Sequence, residues 1–325
     1  MLFRSLKTVH RFTGTERHFP WRKLAGVIVL AVAAAGLVAG GIQVEAKRKA
    51  MLAAAAAEMQ PAQNFSGNTS AAAIESLINE MQEKIQKRVQ SSTTVAAILN
   101  EAQNRLALAL DASKRLDTKS GDMLIEALRC FVAAAIWQDG QVFIPAGNVV
   151  IDGINEYVPS FLMDDKEVTV GDFADLAQIH QGWRYPPELA GATYNLPVSW
   201  VSYFDAQAYA ASKGKLLPTY AQWARAAYGY PANAAPMFPW GDTWTPGMAN
   251  ANNEYGAPAV PKSYESDKSM AGCYDMAGNV SEWTRSPRLG ALGLTDDGMP
   301  TFGTEVIVCG GNYAEAAVPL MQPRY

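Results

Sequence analysis

Between Gly272 and Trp283 the chain reads Gly-Cys-Tyr-Asp-Met-Ala-Gly-Asn-Val-Ser-Glu-Trp. This stretch has neither the period of an amphipathic helix nor the alternation of a strand. It sets Asp275 and Glu282 around a Gly-Asn turn and ends in an aromatic ring. Two carboxylates with backbone carbonyls between them are the oxygen ligands that calcium takes. A buried Gly-Asn turn plugged by Trp283 accounts for the same residues, and the segment by itself leaves both readings open.

The rest of the chain bounds what else can act. At 325 residues there is enough polypeptide for one or two cored domains. A formal net charge of -4 argues against nucleic acid as the main partner, because phosphate binding needs a basic face. The cysteines are Cys130, Cys273 and Cys309, with no C-x-x-C pair, so neither a disulfide scaffold nor a zinc cluster is encoded. Histidine is limited to His10, His18 and His180, too few within one domain for a multi-histidine metal centre. His180 lies in a Gln-Ile-His-Gln-Gly-Trp run, and no nucleophile-elbow motif supports a hydrolase built around it.

Residues 24–44 are apolar except for Gln43, and their length matches the roughly 20 residues that span a bilayer. Residues 1–23 form a basic tail, with Arg4, Lys7, Arg11, Arg17, Arg22 and Lys23 opposed by Glu16. The positive-inside rule places that tail in the cytoplasm and the remainder beyond an inner membrane, as a single-pass protein with a periplasmic or extracellular C-terminal domain. A cleaved signal peptide is the rival reading; the long basic lead and long apolar run favour an uncleaved signal anchor. Residues 45–69 read as a linker. Residues 70–139 read as a helical stalk or small bundle, with helices expected around Ile74–Val89, from Thr93 to about Arg115, and over Asp122–Trp137. Such a stalk suits self-association or contact with other envelope proteins.

After Gly140 the composition shifts to Gly, Pro, Trp and Tyr, and the apolar period breaks into short pieces. Helices are expected at 203–213, with Phe204, Ala208 and Ala211 inward, and at 219–228, with Thr219 as N-cap. In order along the chain come Phe143-Ile-Pro-Ala-Gly147, Phe161–Thr169, Pro197–Tyr209, Leu217-Pro-Thr219, Phe238-Pro-Trp-Gly-Asp242, Asn250, Tyr274–Trp283 and Gly310-Gly-Asn-Tyr313. This ordered set, covering about 142–325, resembles the formylglycine-generating (sulfatase-modifying factor) enzyme family. The resemblance implies an α+β fold for residues 140–325, irregular and related to C-type lectins.

The family's copper-dependent members hold the metal through two cysteines after the Gly-Gly motif, soft ligands suited to copper(I). The matching positions here carry Glu315 and Leu320. A related oxygenase branch binds iron through histidines of a helical domain, and the helical segment here contains none. The resemblance therefore implies no copper or iron and no catalytic residues, and points to a pseudoenzyme that binds or scaffolds. An enzyme of altered chemistry is the alternative. What the resemblance does supply is calcium, held structurally by Asp275, Gly278, Val280 and Glu282. A second calcium position falls on Asn250 and Ala251, though its remaining ligands lie in a stretch that is shortened here. The family fold also brings the segments of Cys273 and Cys309 together, which raises the question of a disulfide. Among the aromatic residues Trp200, Tyr203, Trp240, Trp244, Tyr255 and Tyr264, most are expected to be packing rings and the rest binding surface.

Overall fold

A computed structural model describes residues 92–115, 119–151, 153–179, 194–228, 236–288, 300 and 304–315. The apolar segment at 24–44, the linker at 45–69, the helix expected near Ile74–Val89, His180 and Leu320 lie outside the described residues. Among the described residues no helix is long and apolar enough to cross a membrane. The chain divides into two compact units, the first running to Asp139 and including Pro159–Leu162, the second made of Gly140–Val158 and the chain from Met163.

The first unit is built on α1 (Thr93–Lys114) and α2 (Ser120–Ile136). Val95, Ile98, Leu99, Ala102, Leu106 and Ala109 recur at three- and four-residue spacing and are buried, as are Leu124, Leu128 and Phe131 of α2. One charged side chain enters this core. Glu126 is buried, and its Oε1 accepts from the Ser160 backbone N–H at 3.0 Å and from the Ser160 hydroxyl. Cys130 Sγ lies 3.6 Å from the same hydroxyl, and burial pushes its thiol up to about 12, which makes it an inert core group.

From Gln141 on the chain mixes short strands and helices, and the strand that begins at Phe161 starts in the first unit and ends in the second. In chain order they are β1 (Gln141–Ile144), β2 (Gly147–Ile151), β3 (Ile154–Val158), β4 (Phe161–Asp164), α3 (Val170–Ile179), α4 (Tyr203–Ser212), α5 (Tyr220–Tyr228), β5 (Glu282–Pro287) and β6 (Val306–Cys309). The strands form two-stranded sheets, β1 with β4, β2 with β3 and β5 with β6. The last two are antiparallel, with Gly147 opposite Val158 and Glu282 opposite Cys309. Long stretches between α5 and β5 carry neither helix nor strand, so side-chain hydrogen bonds must hold the backbone there.

Each of the three helices starts on the same device. Thr169 and Asp172, Ser202 and Asp205, and Thr219 and Gln222 exchange reciprocal side-chain to backbone bonds, satisfying donors that a helix start leaves open. Thr219 is the N-terminal cap that the sequence indicates. Helix α3 was not expected, although Thr169-x-x-Asp172 is its signal. The inward face assigned to α4 is wrong: Tyr203 and Ala210 are buried while Phe204 is 41% exposed and Ala208 and Ala211 face solvent. Ring contacts, not alanines, set its rotation. Tyr209 stacks on Phe173 with centroids 5.2 Å apart, and Tyr203 meets the Trp283 ring edge-on at 6.0 Å.

Helix α5 is buried nearly all round, with Trp223 wholly enclosed. It carries Arg225 inward, whose guanidinium donates to the carbonyls of Pro145 and Asn148 and occupies the space a side chain at residue 147 would need. Gly147 leaves that space to the guanidinium, which a larger residue would have to displace. Cys273 and Cys309 are both buried free thiols, so no disulfide joins them, and burial raises both far above the ordinary thiol range.

Thr219→Ala removes the cap of the most enclosed helix and is expected to cost about 1 kcal/mol, with Thr219→Ser near neutral, read from urea midpoints.

Candidate functional site

The Gly272–Trp283 loop is fixed by what surrounds Asn279. This residue has φ of +64°, a left-handed conformation that asparagine tolerates better than most side chains. Its Nδ2 donates to Glu167 Oε2 at 2.6 Å and to the Ala259 carbonyl at 3.0 Å. Its Oδ1 accepts from Asn250 Nδ2 at 3.1 Å and from the Ala259 N–H at 2.8 Å. Its backbone N–H donates to the Asn250 carbonyl, and its carbonyl accepts from the Tyr313 N–H, each at 2.8 Å. Every polar group of this buried residue is used, and the bonds reach four separate segments.

Two glycines make that closeness possible. A Cβ at Gly278 would stand 2.6 Å from the Asn250 carbonyl oxygen, and one at Gly311 would collide with the carbonyl of Ala277. The Gly-Asn turn is thus clamped between the Asn250 segment and the Gly310–Gly311 segment. Asp275, with φ of +57°, opens the turn.

Four carboxylates gather around the clamp. Asp267, Asp275 and Glu167 are buried, and Glu282 is half-buried. Glu167 accepts from Asn279 Nδ2 and from the Val280 N–H at 3.0 Å; burial, then the charges of Asp275 and Glu282, push it well above the usual carboxylate range. Asp267 Oδ1 accepts from the Ala277 N–H at 2.8 Å, and its Oδ2 is buried with no partner. Burial first, with the charge of Asp275 adding to it, pushes Asp267 up to about 8. Asp275 Oδ2 accepts from the Lys262 N–H at 2.7 Å and Glu282 Oε2 from the Trp223 indole. Burial raises these two to about 6 and about 7.

Asp275, Gly278, Val280 and Glu282 therefore fall on one clamped loop. The second oxygens of Asp275 and Glu282 make no hydrogen bond among the described residues, nor do the carbonyls of Gly278 and Val280. This donor set is all oxygen, acidic and short of partners, and it fits a hard cation. No three acidic, cysteine or histidine side chains converge as a metal cluster among the described residues, so carbonyls must complete any shell. At the second position Asn250 keeps a buried Oδ1 without a partner, but the Ala251 carbonyl already accepts from the Glu254 N–H at 3.2 Å.

Glu167 and Asp267 were missed in the sequence. Glu167 stands in a quoted motif, where Glu-Val-Thr gave a signal of pattern and none of role. Asp267 gave no signal at all. Glu315 is exposed; its N–H binds Asn312 Oδ1 at 3.0 Å and its carbonyl accepts from Asn252.

Comparison with known proteins fits this geometry. The family described as sulfatase-modifying factor enzyme 1-like domain matches residues 133–324. The chain is 41% identical over 93 residues to a hercynine oxygenase of Mycolicibacterium thermoresistibile, 28% of this chain and 21% of that protein. It is 35% identical over 153 residues to a formylglycine-generating enzyme of Streptomyces coelicolor, covering 40% and 47%. It is 37% identical over 117 residues to an inactive C-alpha-formylglycine-generating enzyme 2 of Bos taurus, covering 32% and 38%. The chain thus spans less than half the length of each of these relatives.

Asn279→Ala leaves several buried groups unsatisfied and is expected to destabilise by roughly 3 kcal/mol or more, measured by urea unfolding. The raised carboxylates give a pH dependence of known sign. The folded state holds protons that the unfolded chain releases near pH 4. Their stabilisation is complete below that pH and is lost as pH rises through about 6 to 8. In a metal-chelating buffer the melting temperature should fall between pH 5 and pH 8; a rise over that range contradicts the assignment.

Proposed function

This chain belongs to the sulfatase-modifying factor enzyme 1-like domain family, and we propose that its C-terminal domain serves as a non-catalytic binding or structural module. The observation that carries this reading is the residue type after Gly310–Gly311. Glu315 and Leu320 occupy the positions at which copper-dependent relatives place thiolates, and a carboxylate and an alkyl chain do not hold copper(I). The described backbone up to the first of those positions is held by direct bonds, Tyr313 to Asn279 and Asn252 to Glu315. A retained scaffold without the ligands suits recognition, and similarity to a relative named as inactive supports it. The fold class is read as C-type-lectin-like on the same resemblance.

The apolar stretch at 24–44 anchors the chain in the inner membrane in this reading, with the basic residues 1–23 inside and the domain in the periplasm or outside the cell. Residues 70–139 hold it away from the bilayer and offer helices for self-association or for other proteins of an envelope complex. Calcium is the ligand the Asp275–Glu282 loop suits best, with carbonyls of Gly278 and Val280 between the carboxylates. Bound there, the ion would neutralise charges that burial disfavours and so stabilise the fold; Asn250 and Ala251 form a weaker second position.

A second reading is an enzyme of altered chemistry, favoured by the identity with a protein named hercynine oxygenase. One experiment separates the two. Full-length protein purified in detergent is assayed for copper, iron and oxygen uptake on a cysteine-containing peptide. The binding reading expects no uptake; metal-dependent uptake overturns it. Calcium is tested apart from this: it should raise the melting temperature more at pH 8 than at pH 5, because it competes with protons at Asp275 and Glu282, and Glu282→Gln should shrink the rise.

A further inference from the structure

Arg285 stands on β5, its backbone N–H bound to the Pro218 carbonyl at 2.8 Å. The side chain is half-buried, and its Nε is sealed from solvent without a hydrogen-bond partner. No carboxylate among the described residues pairs with it. The other described arginines all find acceptors: Arg105 binds Glu101, Arg115 Asp111, Arg129 Glu126, Arg288 Glu305, and Arg225 two backbone carbonyls. The exception is not for want of acid, because the chain has 31 acidic residues against 27 basic ones.

Arg285 neighbours Tyr203, a neutral phenol whose hydroxyl is also buried without a partner. Tyr203 begins α4, whose start is capped by Ser202 and Asp205. Just before it, Trp200 is 72% exposed and holds φ of +62°. Just after it, Phe204 packs edge-on against Tyr203 while its outer part stays exposed. Trp283 fixes this segment against β5 by donating its indole N–H to the Val201 carbonyl at 3.1 Å. An unpaired guanidinium thus lies beside a segment that presents two aromatic rings to solvent.

We propose that Arg285 and the Trp200–Phe204 segment bind the C-terminal carboxylate of a partner protein whose last side chain is apolar. The inference rests on the binding reading of the domain and names its partner's chemistry. A guanidinium takes both oxygens of a carboxylate in one plane, which a single neutral donor does not. Trp200 and Phe204 cover the apolar side chain, since rigid aromatic rings bury large area at low entropic cost.

The test is fluorescence anisotropy of full-length protein with a short labelled peptide ending in Phe-Leu and a free carboxylate. Its C-terminal amide is expected to bind about tenfold or more weakly, the loss expected for a charge-assisted pair. Arg285→Gln should abolish the preference for acid over amide, Arg285→Lys should restore part of it, and Trp200→Ala should weaken both peptides. Arg288→Gln, whose partner is Glu305, should change nothing. Circular dichroism checks that each variant is folded. Equal binding of acid and amide, no binding of the acid peptide, or an unaltered preference in Arg285→Gln overturns the proposal. Equal binding of an amidated peptide with an internal Glu overturns the C-terminal assignment, and competition by acetate at the peptide's own concentration overturns the peptide. Each of these outcomes leaves the non-catalytic reading standing, because that reading falls on oxygen uptake and not on peptide binding.

Discussion

In the second unit, a long irregular backbone passes through the interior with few ladders to satisfy it, and the bonds of Asn279 replace them. A buried amide with four hydrogen-bonding sites is a junction only when all four are met, since each unmet site costs more than a met one contributes. Here the Glu167 carboxylate, the Ala259 backbone, the Asn250 amide and the backbones of Asn250 and Tyr313 meet them all. The segments joined lie far apart in sequence, so this one residue fixes their mutual positions. Gly278 and Gly311 belong to the same constraint, because any Cβ there would hold the segments apart.

The junction has an electrostatic consequence. Glu167 and Asp267 are drawn into the interior to bind backbone and amide donors of the loop, and they bring charge toward Asp275 and Glu282. Burial drives each of the four toward its protonated form, and repulsion from neighbouring acids adds to it at Glu167, Asp267 and Glu282. A cation is the other way to relieve such a cluster, and the loop carbonyls left without partners are where one would be held. The same burial renders Cys273 and Cys309 unreactive. The thiols that remain in the domain are packing groups in its core.

Asn279 clamps the Gly310–Tyr313 segment, and after it the chain carries Glu315 and Leu320, neither of them a thiolate. The surface near α4 differs from the loop interior in one respect. There, among the described residues, the half-buried Arg285 guanidinium has no carboxylate partner and stands near the exposed Trp200 ring, whereas inside the polar groups of Asn279 are all bonded.

Ordered motifs made the family legible from sequence, because glycines and asparagines at close backbone approaches leave marks that do not depend on distant context. The apolar spacing of α1 and α2 was legible for the same local reason, and Thr219 showed its cap through the residue three positions on. The inward face of α4 was not legible: alanines suggested one rotation, and the rings of Phe173 and Trp283, brought from elsewhere in the chain, imposed another. Asp267 carried no local signal either, since its role exists only where Ala277 offers a backbone N–H. The sequence by itself determined which residues stand in the Gly272–Trp283 loop and that no cysteine follows Gly311, both being facts of residue type and order. Only the tertiary structure decided that Glu167, Asp267 and Asp275 are buried within reach of the half-buried Glu282, and that Arg285 has no carboxylate partner among the described residues, because charge pairing depends on distance in space and burial, which order along the chain does not specify.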